Sequence, residues 1–232
     1  MTISHECTEE LFLRDVALHQ MTVIRDDGAN RHIRFKKPDS SDMYFDLITW
    51  PGSLCYTGDM GTFVFQRLED MFRFFRTDRD HGQPKEGKTL FINTGYWGEK
   101  CVAVDSVDGI RKYSSELFRE VIQEWQAEQE DLSEKEKAAL AITVEEDLLD
   151  YADEGEEMVR SQVDGWGFPC DDGSRLTITD FWERTLTVKT FRFVWCCYAI
   201  AWGIKMYDEK RAENSLEGKE HMEFTGESEC AQ

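Results

Sequence analysis

Apolar residues recur at helical spacing near the N-terminus, where Leu11, Leu13, Val16 and Ala17 follow Thr8, a residue suited to capping a helix. Glu9 and Glu10 fall in the first turn, where negative charge is favoured. One short helix is predicted there. The next run, MTVIRDDGANRHIRFKK, alternates apolar and polar positions on both sides of Asp27-Gly28, which is a hairpin pattern with Met21 and Val23 or Ile33 and Phe35 facing inward. Pro38 to Asp42 turns the chain, and three strand-like runs follow: Tyr44 to Trp50, Leu54 to Thr57 and Thr62 to Gln66. Together they predict an antiparallel meander of about five strands. Leu68, Met71, Phe72 and Phe75 then return to helical spacing, a stripe suited to covering one sheet face.

From Thr77 to Gly95 the chain turns to charge, glycine and proline, which predicts an exposed loop. Within it Gly82-Gln-Pro-Lys-Glu-Gly87-Lys88-Thr89 spells a phosphate-binding loop in letters, but Pro84 and the lack of a preceding buried strand count against nucleotide binding. Further on, Leu117, Phe118, Val121, Ile122 and Trp125 share one helical face between Ser114 and Gln129. Ser133-Glu-Lys-Glu136 is a capping-box pattern opening a second helix, with Leu140, Val144, Leu148 and Tyr151 inward and an extent to about Val163. A last helical region begins at Thr179, and its piece FRFVWCCYAIAWGIKMY is apolar nearly all round, placing it at the centre of a helical half. The expected organisation is α+β: residues 1–112 form a sheet layer with the loop 77–95, residues 113–212 an acidic helical lobe packed on it as one continuous fold, and residues 213–232 a polar tail.

The 232 residues carry 47 acids against 27 bases, a net charge of −20, which argues against a general affinity for nucleic-acid phosphates or anionic membranes. The N-terminus, MTISHECTEELFLRD, has acids where a signal peptide needs a basic start, so a cytoplasmic location is expected. The longest apolar run, Phe193 to Ile204, is well short of the roughly 20 residues of a membrane span. Seven cysteines without a C-x-x-C pair, and five scattered histidines, give no zinc pattern, and no cofactor is implied.

The charge is concentrated: residues 116–157 hold 16 acids against Arg119, Lys135 and Lys137. Glu116, Glu120, Glu124 and Glu128 recur every four residues, forming a ladder of about 6 Å per step on a helix. Like charges at that spacing oppose the helix that carries them. A stripe of this kind imitates the regular charge of a nucleic-acid backbone and fits a basic groove on a partner protein, although an acidic, highly solvated face satisfies the same pattern. The expected contact residues are these four glutamates with Asp147, Asp150 and Glu154, and Trp97, which follows the loop in GYWGEK. No metal site, direct nucleic-acid binding or membrane contact is expected, and the oligomeric state is left open. An enzymatic alternative gathers Asp46, Asp59, Tyr56 and His32 near strand ends as acid/base groups, around a site at Tyr56 to Gly61.

The runs DLITWPGSLCYTGDMGTFVFQRLEDMFRFFR (Asp46 to Arg76), GYWGEK (Gly95 to Lys100) and FRFVWCCYAIAWGIKMYDE (Phe191 to Glu209) resemble a family of uncharacterised bacteriophage and prophage proteins. The resemblance carries over no catalytic residues. It implies a context: a phage accessory protein in a bacterial host, where small acidic proteins inhibit host defence or nucleic-acid-handling factors stoichiometrically.

Overall fold

The computed structural model describes residues 6–81, 87–107 and 109–226, with side chains left undescribed at 77–81 and 216–226. The chain divides into two compact units, Met1–Ile110 with Lys189–Gln232, and Arg111–Val188. The class is α+β, as the alternation of periods predicts.

The first unit opens with α1 (Glu9–Val16), whose N-cap Thr8 accepts from the Leu11 amide. Then come β1 (Gln20–Asp27), β2 (Asn30–Lys36), β3 (Phe45–Trp50), β4 (Ser53–Gly58) and β5 (Gly61–Gln66), then α2 (Met71–His81), α3 (Thr94–Glu99) and β6 (Cys101–Val104). The six strands pair in sequence order, one more than the meander read from the pattern, because β6 returns to pair with β5 after the helical excursion. Gly28, at φ +58°, supplies the left-handed backbone that the β1–β2 turn requires.

Period-two alternation sorts the sheet into two faces. Ile33, Phe35, Phe45, Leu47, Leu54, Tyr56, Phe63 and Phe65 are fully buried on one of them, in a single core with α1, α2, α3 and the final helix α7 (Phe191–Gly226). Of the two inward pairs offered by the hairpin pattern, Ile33 and Phe35 are the buried one, whereas Val23 is 38% exposed. Placing α7 in the acidic helical half is therefore corrected. Phe193, Trp195, Ile200 and Ile204 pack with the sheet, because a helix apolar nearly all round can be buried only against the larger apolar surface. Gly203 makes the close approach possible, since a β-carbon there would meet Leu47 Cδ1 at 2.8 Å and Phe35 Cε2 at 3.1 Å.

The second unit contains β7 (Arg111–Tyr113), α4 (Ser115–Ala127), α5 (Glu134–Asp147), α6 (Glu156–Gly165), β8 (Phe168–Pro169), β9 (Arg175–Leu176) and β10 (Thr187–Lys189). Here β7 pairs with β10 and β8 with β9, and Phe118, Ile122, Leu140, Val144, Val159 and Val163 belong to a separate core. The capping box at Ser133 and Glu136 is formed. The long second helix is not continuous to Val163. A 3-10 helix at Leu149–Glu154 and Gly155, at φ +103°, break it, so α6 starts afresh.

Candidate functional site

Ser114 caps α4 by accepting from the Leu117 amide, and Phe118 and Ile122 bury one side of the helix. That burial fixes its rotation and leaves Glu116, Glu120 and Glu124 exposed, with Glu128 as the exposed C-cap residue. The ladder spans about 18 Å. None of the four glutamates has an ion pair among the described residues. The ordinary reading of an acidic face interleaves cations, but here the nearby arginines are engaged elsewhere. Arg119 donates to the Leu149 carbonyl at 2.9 Å and to Asp153 at 3.2 Å. Arg160 holds Glu156 at 2.8 Å and donates to the carbonyls of Phe181 and Arg184. The unit as a whole has 21 acids and 8 bases, net −13.

Carboxylates converge at the start of the ladder. Burial first, then the fields of Asp153, Glu156 and Glu116, pushes the Tyr113 phenol up to about 12, against the opposing pull of Arg119. Glu116 itself is held below the usual carboxylate range by hydrogen bonds from its own backbone amide and the Ser114 hydroxyl. It therefore stays charged at the positive end of the α4 dipole. Asp150 and Glu154 are exposed on the 3-10 helix. Asp147, also exposed, accepts from Trp166 Nε1 at 3.1 Å and helps to fix that indole.

Trp97 does not belong to any contact surface: it is 1% exposed, and its ring stands edge-on to Phe75 at 4.7 Å. A six-residue helix, capped by Asn93, turns the indole into the core of the first unit. The segment around it is also less loop-like than its composition predicts. Glu9, 3% exposed, accepts from the Thr89 amide and hydroxyl and from the Leu90 amide, while Lys88 pairs with Glu10. Gly82 and the four residues after it lie outside the described residues. Gly87-Lys88-Thr89 leads into irregular chain instead of opening a helix, and its threonine hydroxyl is already bonded, so the phosphate-loop reading lacks its structural context.

The four residues of the enzymatic alternative are separated by the pleat. Tyr56 faces the core, fully buried against Phe45, Phe63 and Trp195, and its hydroxyl has no partner among the described residues. Asp59 lies in the β4–β5 turn, where it accepts from the Met43 amide at 2.6 Å. His32 and Asp46 lie on the opposite face, with Arg34. The carboxylate of Asp46 accepts from Arg34 through Nε and Nη2, both at 2.8 Å, and lies 2.8 Å from His32 Nε2. Burial alone would raise the Asp46 carboxyl, but these hydrogen bonds outweigh it and hold the acid low. The cluster is thus a locked ion pair, the Thr57 hydroxyl across from Asp46 is bonded to Thr62, and burial, with the field of Asp46, pushes the nearby Cys55 thiol up.

A second polar network was not read from the sequence. Arg31, 6% exposed, forms a two-pronged pair with Asp70 at 2.8 and 3.1 Å beneath the rings of Phe72 and Tyr207. Its Nε lies 3.6 Å from Asp26, whose carboxylate accepts the Tyr207 hydroxyl, and Arg211 donates to the same phenol oxygen at 3.0 Å. A signal did exist: Arg31 shares the inward phase of Ile33 and Phe35, and a charge on a buried face demands partners. Asp26 is a near neighbour in the hairpin, but Asp70 lies 39 positions away and Tyr207 lies on the last helix, separations that no local pattern reveals.

The structural class defined by these observations is an α+β protein with a six-stranded antiparallel meander and an acidic, mainly helical second unit. No protein-family model, curated protein or solved structure matches the chain. Among the described residues, no helix is long and apolar enough to cross a membrane, and no three histidine, cysteine, aspartate or glutamate residues gather as a metal site.

Proposed function

We propose that the chain is an acidic interaction protein of phage origin that binds and inhibits, one to one, a host defence or nucleic-acid-handling protein in the bacterial cytoplasm. The α4 ladder occupies the basic groove in which that host protein holds nucleic acid. The observation that carries this reading is the set of exposed glutamates without ion pairs on α4, beside arginines already engaged within their own unit. Electrostatic steering by such a ladder accelerates encounter with a cationic groove. The resemblance of the Asp46 to Arg76 run to phage proteins supplies the host context.

The test is affinity purification from phage-infected bacteria, comparing the natural chain with a variant in which Glu116, Glu120, Glu124 and Glu128 are lysines. The partner should be recovered with the natural chain alone. Its recovery should fall steeply between about 50 and 200 mM salt, as counterion-dependent contacts do. Recovery unchanged by either charge reversal or salt rejects the ladder as the contact surface.

A further inference from the structure

The sheet of the first unit ends at β1, and that strand is exposed along almost its entire length. Pairing with β2 uses one side of its backbone, and among the described residues no strand pairs with the other row of amides and carbonyls. Its inward phase is open as well. Met21 and Val23 pair across from Phe35 and Ile33, yet Val23 is 38% exposed where both β2 residues are fully buried.

The stretch of α7 from Gly203 to Arg211 accounts for this opening. Gly203 rests on Phe35 and Leu47 of β2 and β3, and Tyr207, one turn later, reaches Asp26 on β1. The next turn, with Lys210 and Arg211, therefore overhangs the sheet edge. Between this turn and β1 lies a groove of about 430 Å³, with Met21 and Val23 among its lining.

The charges on the groove are unequal. Asp26 is answered from within, by the Tyr207 hydroxyl at 2.8 Å and the Arg31 guanidinium at 3.6 Å. Arg211 uses Nη1 on Tyr207 and keeps its remaining N–H groups, and Lys210 has no ion pair among the described residues. Lys210 and Arg211 against Asp26 leave the lining one charge positive, on a protein whose net charge is −20.

We propose that β1 and the overhanging turn of α7 form a docking groove for an extended acidic peptide segment of a partner protein. The segment adds as a strand to the outer edge of β1, directs alternate apolar side chains onto Met21 and Val23, and places a carboxylate between Lys210 and Arg211. A β-bulge between Val23 and Arg25 interrupts regular pairing, which confines the added strand to Gln20–Val23, beside the groove. This site is independent of the α4 ladder and takes a ligand of the opposite charge.

The probe is a fluorescent peptide of about eight residues, alternating valine and threonine around two glutamates, titrated into the full chain. Two controls accompany it: the same peptide with lysines for the glutamates, and one N-methylated at alternate amides. The acidic peptide should bind at least about tenfold tighter than the lysine peptide, and N-methylation should abolish binding, because strand addition rests on main-chain hydrogen bonds. Amide exchange at Gln20–Val23 should slow on binding. Lys210→Glu should weaken binding about tenfold with the melting temperature unchanged, which separates lost recognition from lost folding. Equal binding of the two charged peptides, absence of binding by the acidic one, or unchanged exchange at Gln20–Val23 overturns the proposal. Protection of β1 that grows with protein concentration alone overturns it too, and assigns the edge to a second copy of this chain.

Discussion

His19 is held by a hydrogen bond between Nε2 and the Met43 carbonyl at 2.9 Å, and its buried Nδ1 has no partner among the described residues. Burial lowers its pKa from the ordinary 6.5, with Lys37 adding to the effect and Asp42 and Asp15 opposing it. The unfolded chain therefore takes up this proton first as pH falls, and His19's contribution, complete above about 6.5, is lost as pH drops toward the depressed folded value. Denaturant titrations from pH 7.5 to 5 should show declining stability in the natural chain and a flatter profile for His19→Gln. Asp46 behaves in the same direction at lower pH: its depressed folded pKa gives stability above the ordinary carboxylate range that disappears on acidification through that value. Arg31 carries a larger stake. Arg31→Leu leaves Asp70 and Asp26 facing two aromatic rings without their cation, and a loss of about 3 kcal/mol is expected in urea unfolding.

At the scale of elements, α4 and α7 are set by opposite means. The apolar face and the approximate extent of α4 were legible from Phe118 and Ile122, because helix signals are local. Ser114→Ala should cost about 1 kcal/mol in thermal unfolding through loss of the cap to Leu117. The apolar run of α7 was equally legible as a buried helix, but its surroundings were not. Phe193, Trp195 and Ile204 would suit either core, and only the packed sheet offered enough apolar surface. Gly203→Ala tests that contact: the added methyl meets Leu47 and Phe35 below ordinary contact distance, so a loss of about 1–3 kcal/mol is expected despite the better helix propensity of alanine. A similar limit affected Trp97. Its position after a charged segment suggested exposure, whereas the helix at Thr94–Glu99 directs it onto Phe75.

For the molecule as a whole, Arg111–Val188 is a continuous 78-residue segment that, in chain order, follows β6 and precedes α7 of the other unit. Because its core is formed from its own residues, the excised segment should show a cooperative thermal transition by circular dichroism; a featureless melt would contradict its compactness. The lysine-substituted α4 variant should keep a cooperative melt, since the four side chains are exposed and the reversal cuts the self-repulsion of a unit whose net charge is −13, which offsets the loss of Glu116 from the start of the helix. Greater stability of the natural chain in rising salt would follow from the same repulsion, and can be read in the same melting experiment.

Composition and period alone determined the α+β class, the meander through β5, the two helix caps and the acidic ladder, because each depends on neighbours within a few turns or one strand pair. Tertiary structure decided the rest: the sixth strand, the core to which α7 belongs, the burial of Trp97, the separation of Tyr56 from His32 and Asp46, and the groove beside β1. These depend on which distant surfaces meet. A residue's alternation gives its phase, but the phase acquires an inside and an outside only once another element covers one face.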